Sequence, residues 1–155
     1  MSGRTPEELP EPGPPTAPQG MVLAAVAAGG ALGALARYGA LVLRPDRDGG
    51  FPWTVFVVNV TGCALIGALM VLTVERGRVT NPLVRPFLGV GVLGGFTTFS
   101  TYATGVFDLL VRQEVAVALA YVVATTLAAI GAVWAAAVVT RALLARGAGS
   151  GGRTA

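Results

Sequence analysis

The stretch Gly94-Gly95-Phe96-Thr97-Thr98-Phe99-Ser100-Thr101 lies in the middle of an apolar run that covers residues 83–111. A straight helix of that length is longer than the roughly 30 Å hydrocarbon core of a membrane requires. Glycines and hydroxyl residues at its centre favour two half-helices that meet at the membrane midplane. Such a break is tolerated only where the freed backbone groups are buried in protein or face a polar cavity. The stretch therefore predicts a membrane span made of two half-helices, whose interruption serves the function of the protein.

Apolar runs on both sides complete the predicted membrane domain. They cover residues 21–43, 53–74 and 115–140, and each is long enough to cross the hydrocarbon core as a helix. Residues 1–20, which contain six prolines and three glutamates, predict a disordered tail, and residues 141–155 predict a flexible tail. The sequence thus predicts an all-α membrane protein with one domain of four transmembrane helices over residues 21–140.

The composition favours a cell-membrane location and excludes several functions. Hydrophobic residues make up 54% of the 155 residues and charged residues 12%, about half the charged share of a soluble domain. Histidine is absent and Cys63 is the single cysteine, which excludes histidine-based catalysis, zinc clusters and disulfide frameworks. All 11 cationic residues are arginines, scattered between the apolar runs rather than clustered as nucleic-acid binding would favour. We expect neither an enzyme nor a nucleic-acid-binding protein.

The arginines give a weak signal for orientation. In a four-span arrangement one side of the membrane carries seven arginines and the other side three. Leaving out the distant Arg4 and Arg153 reduces the ratio to five against three. This bias favours cytoplasmic termini, but it is small enough for a second copy to insert the other way.

Four polar or aromatic side chains interrupt the apolar spans. Arg37 is either a snorkelling side chain or a cation that draws anions into a vestibule. Asn59 either joins two helices or donates a hydrogen bond that replaces water around a passing anion. Phe99 and Tyr102 share a helix face after the break, where they either pack in the ordinary way or offer positive ring edges to an anion.

Hydroxyl and carbonyl groups are concentrated at the break. Ser100 and Thr101 add hydroxyl donors, although such groups in membrane helices most often bond back to their own helix. The carbonyl oxygens of Gly94 and Thr97 are hard ligands that suit a hard cation, or they are satisfied by neighbouring helices. One chain supplies too few oxygens for a closed site, and a two-fold axis through the break would double them.

Taken together, the motifs resemble those of the small fluoride channels known as Fluc or CrcB, over about residues 21–140. Three motifs carry the resemblance, in this order along the chain: GGALGALARY at residues 29–38, VNVTG at 58–62 and GGFTTFSTY at 94–102. The resemblance implies an antiparallel, dual-topology dimer in the lipid membrane, either a homodimer or a heterodimer with a related chain. It implies passive export of fluoride through two pathways, which reduces fluoride toxicity.

The resemblance also assigns residues to these roles. The pathway residues would be Asn59, Phe99, Ser100, Thr101, Tyr102 and, by spacing in the fourth span, Tyr121. A structural sodium ion at the dimer centre would be held by the backbone carbonyls of Gly94 and Thr97. The chain departs from the family at Tyr102, where many members have phenylalanine, and the phenol adds a hydroxyl to the ring edge.

Two other membrane functions remain as alternatives. A small multidrug-type exporter needs a titratable group inside the membrane, yet the interiors of the first, second and fourth spans contain no Asp or Glu, and Asp108 lies near the end of the third. A four-span scaffold without transport would explain the composition and leave the break unexplained.

Overall fold

The computed structural model of the chain describes residues 17–46, 50–75 and 81–150, and the regular structure within these ranges is helical throughout. Most of the predicted N-terminal tail, residues 1–16, lies outside the described residues. The helices α1 and α2 cover Gln19–Leu43 and Trp53–Met70, and α2 continues as a π-helical turn over Val71–Glu75. Three segments follow: a π-helix at Arg85–Leu93, which runs into the short α3 at Gly94–Phe96, then α4 at Phe99–Val111 and α5 at Val115–Ser150.

Among the described residues, three helices are long and apolar enough to cross a membrane: Gln19–Leu43, Trp53–Val74 and Val115–Arg146. The predicted run at 83–111 instead forms two shorter helical pieces. We call residues 85–96 the upstream arm; α4 follows it after Thr97 and Thr98, whose backbones are extended with ψ of 154° and 122°.

The last helix runs into the segment that the sequence predicted as a C-terminal tail. Residues 141–155 were expected to form a flexible tail, but α5 continues to Ser150. The residues directly after the apolar run are Arg141, Ala142, Leu143 and Leu144, which are all strong helix formers, so the helix outlasts the hydrophobic pattern.

Glycines bring α1 and the upstream arm into backbone contact. A β-carbon on Gly33 would overlap the carbonyl oxygen of Val92, and one on Gly95 would overlap the carbonyl oxygen of Gly30. Gly29 and Gly91 meet in the same way. Helices approach this closely only where side chains are absent, so the glycine pairs fix the position of the upstream arm.

Side chains cap the ends of the helices around the loops. Asp46 accepts a hydrogen bond from the N–H of Thr54 at 2.8 Å, in the first turn of α2. The Thr54 hydroxyl donates to the carbonyl of Arg44, which closes the connection from α1. Upstream of the arm, Asn81 accepts from the N–H of Leu83 at 2.9 Å, as the Asn-Pro pair predicts for a helix start.

The described core is small, and most apolar side chains point outward. A buried cluster of Leu109, Ala118 and Tyr121 joins α4 to α5, and α2 packs along α5 through Gly67 and Val133. Large apolar residues are exposed on the other faces, among them Leu65 and Trp134. Surfaces of this kind are typical of helices that contact lipid or another copy of the chain, and the protein is a multi-pass membrane protein.

Candidate functional site

The interruption between α3 and α4 is held by a side chain from α2. In a continuous helix the N–H of Thr98 would donate to the carbonyl of Gly94, four residues earlier. Here that N–H donates to Oδ1 of Asn59 at 2.8 Å. In return Nδ2 of Asn59 donates to the carbonyl of Thr98 at 3.0 Å. The Asn59 amide therefore pairs with both backbone groups of Thr98, as a neighbouring peptide group would.

The start of α4 is held by Thr98 itself. In a continuous helix the N–H of Thr101 would donate to the carbonyl of Thr97. It donates instead to Oγ1 of Thr98 at 3.1 Å, and the Thr98 hydroxyl donates to Oγ1 of Thr101 at 3.0 Å. Thr98 is thus an ordinary N-cap, with the extended backbone that this position prefers.

Arg37 braces the other side of the interruption. Its Nε donates to the carbonyl of Gly95 at 3.2 Å across the contact between α1 and the upstream arm. This contact is absent from both interpretations drawn from the sequence, the snorkelling one and the vestibule one. The Arg37 side chain is half-buried, and it satisfies a carbonyl that has lost its place in a helix.

Two carbonyl groups are left open by this arrangement. The N–H groups of Thr97 and Thr98, which could serve the carbonyl of Gly94 within a helix, donate to Leu93 and to Asn59. The N–H that would serve the carbonyl of Thr97 donates to a hydroxyl. Gly94 is exposed, and among the described residues no atom beyond its chain neighbours and its own helix backbone lies within 4 Å of the position its β-carbon would take. Gly94 therefore lies at an outer face of the chain.

A groove of about 390 Å³ lies beside the interruption, between α2, α4 and α5. It brings together four of the residues that the sequence assigned to a site. The lining consists of Asn59, Cys63, Thr97, Thr98, Phe99, Tyr102, Thr125, Thr126 and Ala129. Asn59 is at the groove with one N–H group engaged by Thr98, and since a primary amide has two such groups, one remains.

Aromatic rings form a row from the groove into the interior. The ring centroids of Phe99 and Tyr102 are 5.9 Å apart, and those of Tyr102 and Tyr121 are 5.1 Å apart. Phe51, which the sequence did not single out, meets Tyr121 edge-on at 5.2 Å. The exposed fraction falls from 80% at Phe99 to 0% at Tyr121, so the row leads from an outer face into the core.

Two hydroxyl groups in this region are buried without a hydrogen-bond partner among the described residues, those of Tyr121 and Thr125. Buried polar groups are normally paired, so an unpaired one points to a missing ligand, water or partner. The sequence reasoning missed Thr125. The sequence spacing could have identified it, because Thr125 follows Tyr121 by four residues and so lies on the same helix face.

The remaining predicted residues lie outside the groove. Ser100 is exposed, and its carbonyl accepts a hydrogen bond from the Thr104 hydroxyl at 3.0 Å. Thr101 faces a different groove, which Asp46 and Asp108 also line. Tyr121 lies behind Tyr102 rather than on the groove wall.

The fold and this site define a class: a small multi-pass membrane protein in which polar side chains hold a helical segment open beside a groove. The model of the family described as "CrcB-like protein, Camphor Resistance (CrcB)" matches residues 24–137. The chain belongs to this family, which confirms the resemblance found in the motifs.

Relatives cover most of the chain. A protein of Streptomyces coelicolor named fluoride-specific ion channel FluC 1 is 53% identical over 126 residues, 81% of this chain and 81% of the relative. Fluoride-specific ion channel FluC 2 of Thermobifida fusca is 53% identical over 82% of this chain and 93% of its own. A fluoride-specific ion channel of Paracoccus denitrificans is 43% identical over 77% and 94%. These relatives are named as ion channels, not as enzymes.

Proposed function

We propose that the chain is a fluoride-selective ion channel that passively exports fluoride from the cytoplasm and so lowers its toxicity. The observation that carries this proposal is the 53% identity, over 81% of the chain, with a relative named as a fluoride-specific channel. The groove beside the interruption provides the chemistry for such a path.

Fluoride holds its hydration water strongly, so a path must replace that water with other donors. The groove supplies the remaining N–H of Asn59, and the unpaired hydroxyls of Thr125 and Tyr121 lie at it or directly behind it. The edges of the Phe99 and Tyr102 rings are weakly positive, so they favour an anion without trapping it as a full charge would. Arg37, which lies in the first of the three motifs, is engaged with Gly95 on the other side of the interruption.

The second part of the proposal is a partner copy in the antiparallel orientation. The upstream arm and α4 together would form the third of four spans, with the interruption at the midplane. Gly94, whose carbonyl has lost its helical donor, is exposed, and an unsatisfied backbone group in contact with lipid would be too costly to persist. A second copy, identical or related, would cover it and would enclose the exposed ring of Phe99.

The third part is a structural sodium ion at the dimer centre. The carbonyls of Gly94 and Thr97 fit such an ion, because both are hard oxygen ligands whose helical donors are engaged elsewhere. A two-fold axis through the interruption would double these ligands. When bound, the ion would supply a fixed positive charge that balances the converging carbonyl dipoles and joins the two copies.

Fluoride release from liposomes tests the channel directly. Purified protein is reconstituted in vesicles loaded with fluoride, efflux is followed with a fluoride electrode, and the assay is repeated with chloride. We expect fast fluoride release without chloride release, and a strong loss in the path variants Asn59→Ala and Phe99→Ile. Activity only after co-reconstitution with a related chain would make the protein half of a heterodimer. If well-folded protein releases no fluoride, either alone or together with a related chain, the proposal is contradicted.

A further inference from the structure

The hydrogen bonds at the interruption follow one pattern. Two N–H groups that a continuous helix would direct to backbone carbonyls are taken by side-chain oxygens instead. Oδ1 of Asn59 takes the N–H of Thr98, and Oγ1 of Thr98 takes the N–H of Thr101. By the four-residue spacing of helical hydrogen bonds, the carbonyls that lose their donors are those of Gly94 and Thr97.

We propose that Asn59 and Thr98 are positioning residues whose side-chain oxygens hold the carbonyls of Gly94 and Thr97 open for a cation. The inference deepens the proposed function, since it rests on the sodium site proposed there. It gives Asn59 a task separate from any contact with fluoride. Its oxygen keeps the chain open, and the second N–H of its amide is left for the fluoride path proposed at the groove.

Helix geometry explains why these two oxygens are needed. Without Oδ1 of Asn59, the N–H of Thr98 would be unpaired in a membrane, and the carbonyl of Gly94 is the acceptor that a helix offers it. Without Oγ1 of Thr98, the N–H of Thr101 would turn to the carbonyl of Thr97 in the same way. Either change closes part of the interruption and removes one oxygen from the cation.

The chain allows a matched pair of variants at each position. Asn59→Leu removes the acceptor and the donor. Asn59→Asp, in its neutral form, keeps an oxygen for the N–H of Thr98 and an O–H for its carbonyl, and it lacks only the second N–H of the amide. Thr98→Val removes the hydroxyl at nearly constant shape, whereas Thr98→Ser keeps it. If Asn59→Leu does not fold, the Thr98 pair still decides the question.

The first measurement is the response of the purified full-length protein to sodium. The midpoint of thermal unfolding in detergent is recorded against NaCl concentration, with N-methylglucamine chloride holding the ionic strength constant. We expect Asn59→Leu and Thr98→Val to need about tenfold or more sodium for half of the stabilisation, as is typical when a residue that orients metal ligands is lost. Asn59→Asp and Thr98→Ser should keep the wild-type response.

The second measurement reports the backbone without sodium or transport. The Cα and Cβ NMR shifts of Thr97, which is present in every variant, should indicate extended backbone in the wild-type protein and in both oxygen-keeping variants. They should move toward helical values in Asn59→Leu and Thr98→Val. Unchanged shifts with an unchanged sodium response in both oxygen-removing variants would overturn the inference, and so would a wild-type protein that does not respond to sodium.

Fluoride efflux from the same preparations separates this inference from the channel proposal. Asn59→Asp should keep the sodium response and lose fluoride efflux, because its neutral carboxyl group pairs with both backbone groups of Thr98 and has no second donor for fluoride. The sodium response could be kept in the oxygen-keeping variants and lost in the oxygen-removing ones while the wild-type protein releases no fluoride. That result would support the positioning role and contradict the channel function.

Discussion

At Tyr121 and Thr125 the proposed function favours a side-chain hydroxyl that lowers the stability of the fold. Both side chains are buried, and within the described residues neither hydroxyl has a hydrogen-bond partner. An unpaired buried hydroxyl costs free energy that its removal recovers. If the two groups instead serve a passing anion, the protein retains them at the expense of its stability.

We therefore predict that Tyr121→Phe and Thr125→Val each raise the free energy of unfolding by about 1 kcal/mol and slow fluoride efflux. Unfolding in detergent and efflux from liposomes measure the two effects. Thr140→Val is the control, because the Thr140 hydroxyl on the same helix already bonds back to the carbonyl of Ala136 at 2.7 Å. Thr140→Val should neither raise the free energy of unfolding nor slow fluoride efflux. Loss of stability in the two buried variants would show that a partner satisfies both hydroxyls.

Single residues also mark the limit of what the sequence could predict about the site. Because an amide inside a membrane span needs hydrogen-bond partners, the place of Asn59 in the second apolar run predicted that its side chain would be paired. The partner is Thr98, 39 residues further on, and nothing local to Asn59 specifies it. Cys63, which the sequence analysis used only to exclude zinc clusters and disulfides, lines the groove, since one turn of α2 brings it to the face of Asn59.

The helical elements were easier to predict than their ends. Apolar length identified α1, α2 and α5 because the thickness of the membrane fixes how long such a run must be. It failed at the end of α5, where helix propensity continues after hydrophobicity has stopped. It also gave no sign of the π-helix at Arg85–Leu93; there Pro86 lacks the N–H that an α-helical bond would use, which favours a changed register.

The contact between α1 and the upstream arm yields a prediction for these two elements. We expect Gly33→Ala to destabilise the protein by about 1–3 kcal/mol, because its methyl group would overlap backbone atoms of Val92 and Phe96 that cannot move aside as a side chain does. Thermal unfolding in detergent measures the loss. Gly39→Ala, on the same helix, has no atom within 4 Å of the added carbon and should be neutral or slightly stabilising. Equal effects of the two changes would show that the close approach does not hold the arm.

At the scale of the whole molecule, a single chain leaves the candidate site open on one side. The groove is open beside Phe99, which is 80% exposed, and Gly94, whose carbonyl has lost its helical donor, is exposed as well. Neither feature is visible in a hydropathy pattern, since both depend on what covers the outer face. The arginine ratio of five against three is the one sequence property that bears on how a second copy would be oriented.

That ratio leads to a prediction about insertion in the cell membrane. After Cys63→Ala removes the native thiol, Ser2→Cys places a single thiol in the N-terminal tail. If the protein is an antiparallel homodimer, a membrane-impermeant thiol reagent should label about half of the molecules in intact cells, because a charge bias this small permits both orientations. The rest should react only after permeabilisation. Adding lysines at Gly151 and Gly152 should lower the labelled fraction, since positive charge retains that end in the cytoplasm. Labelling of all molecules or of none would contradict the homodimer, and the second copy would then have to be a related chain with the opposite orientation.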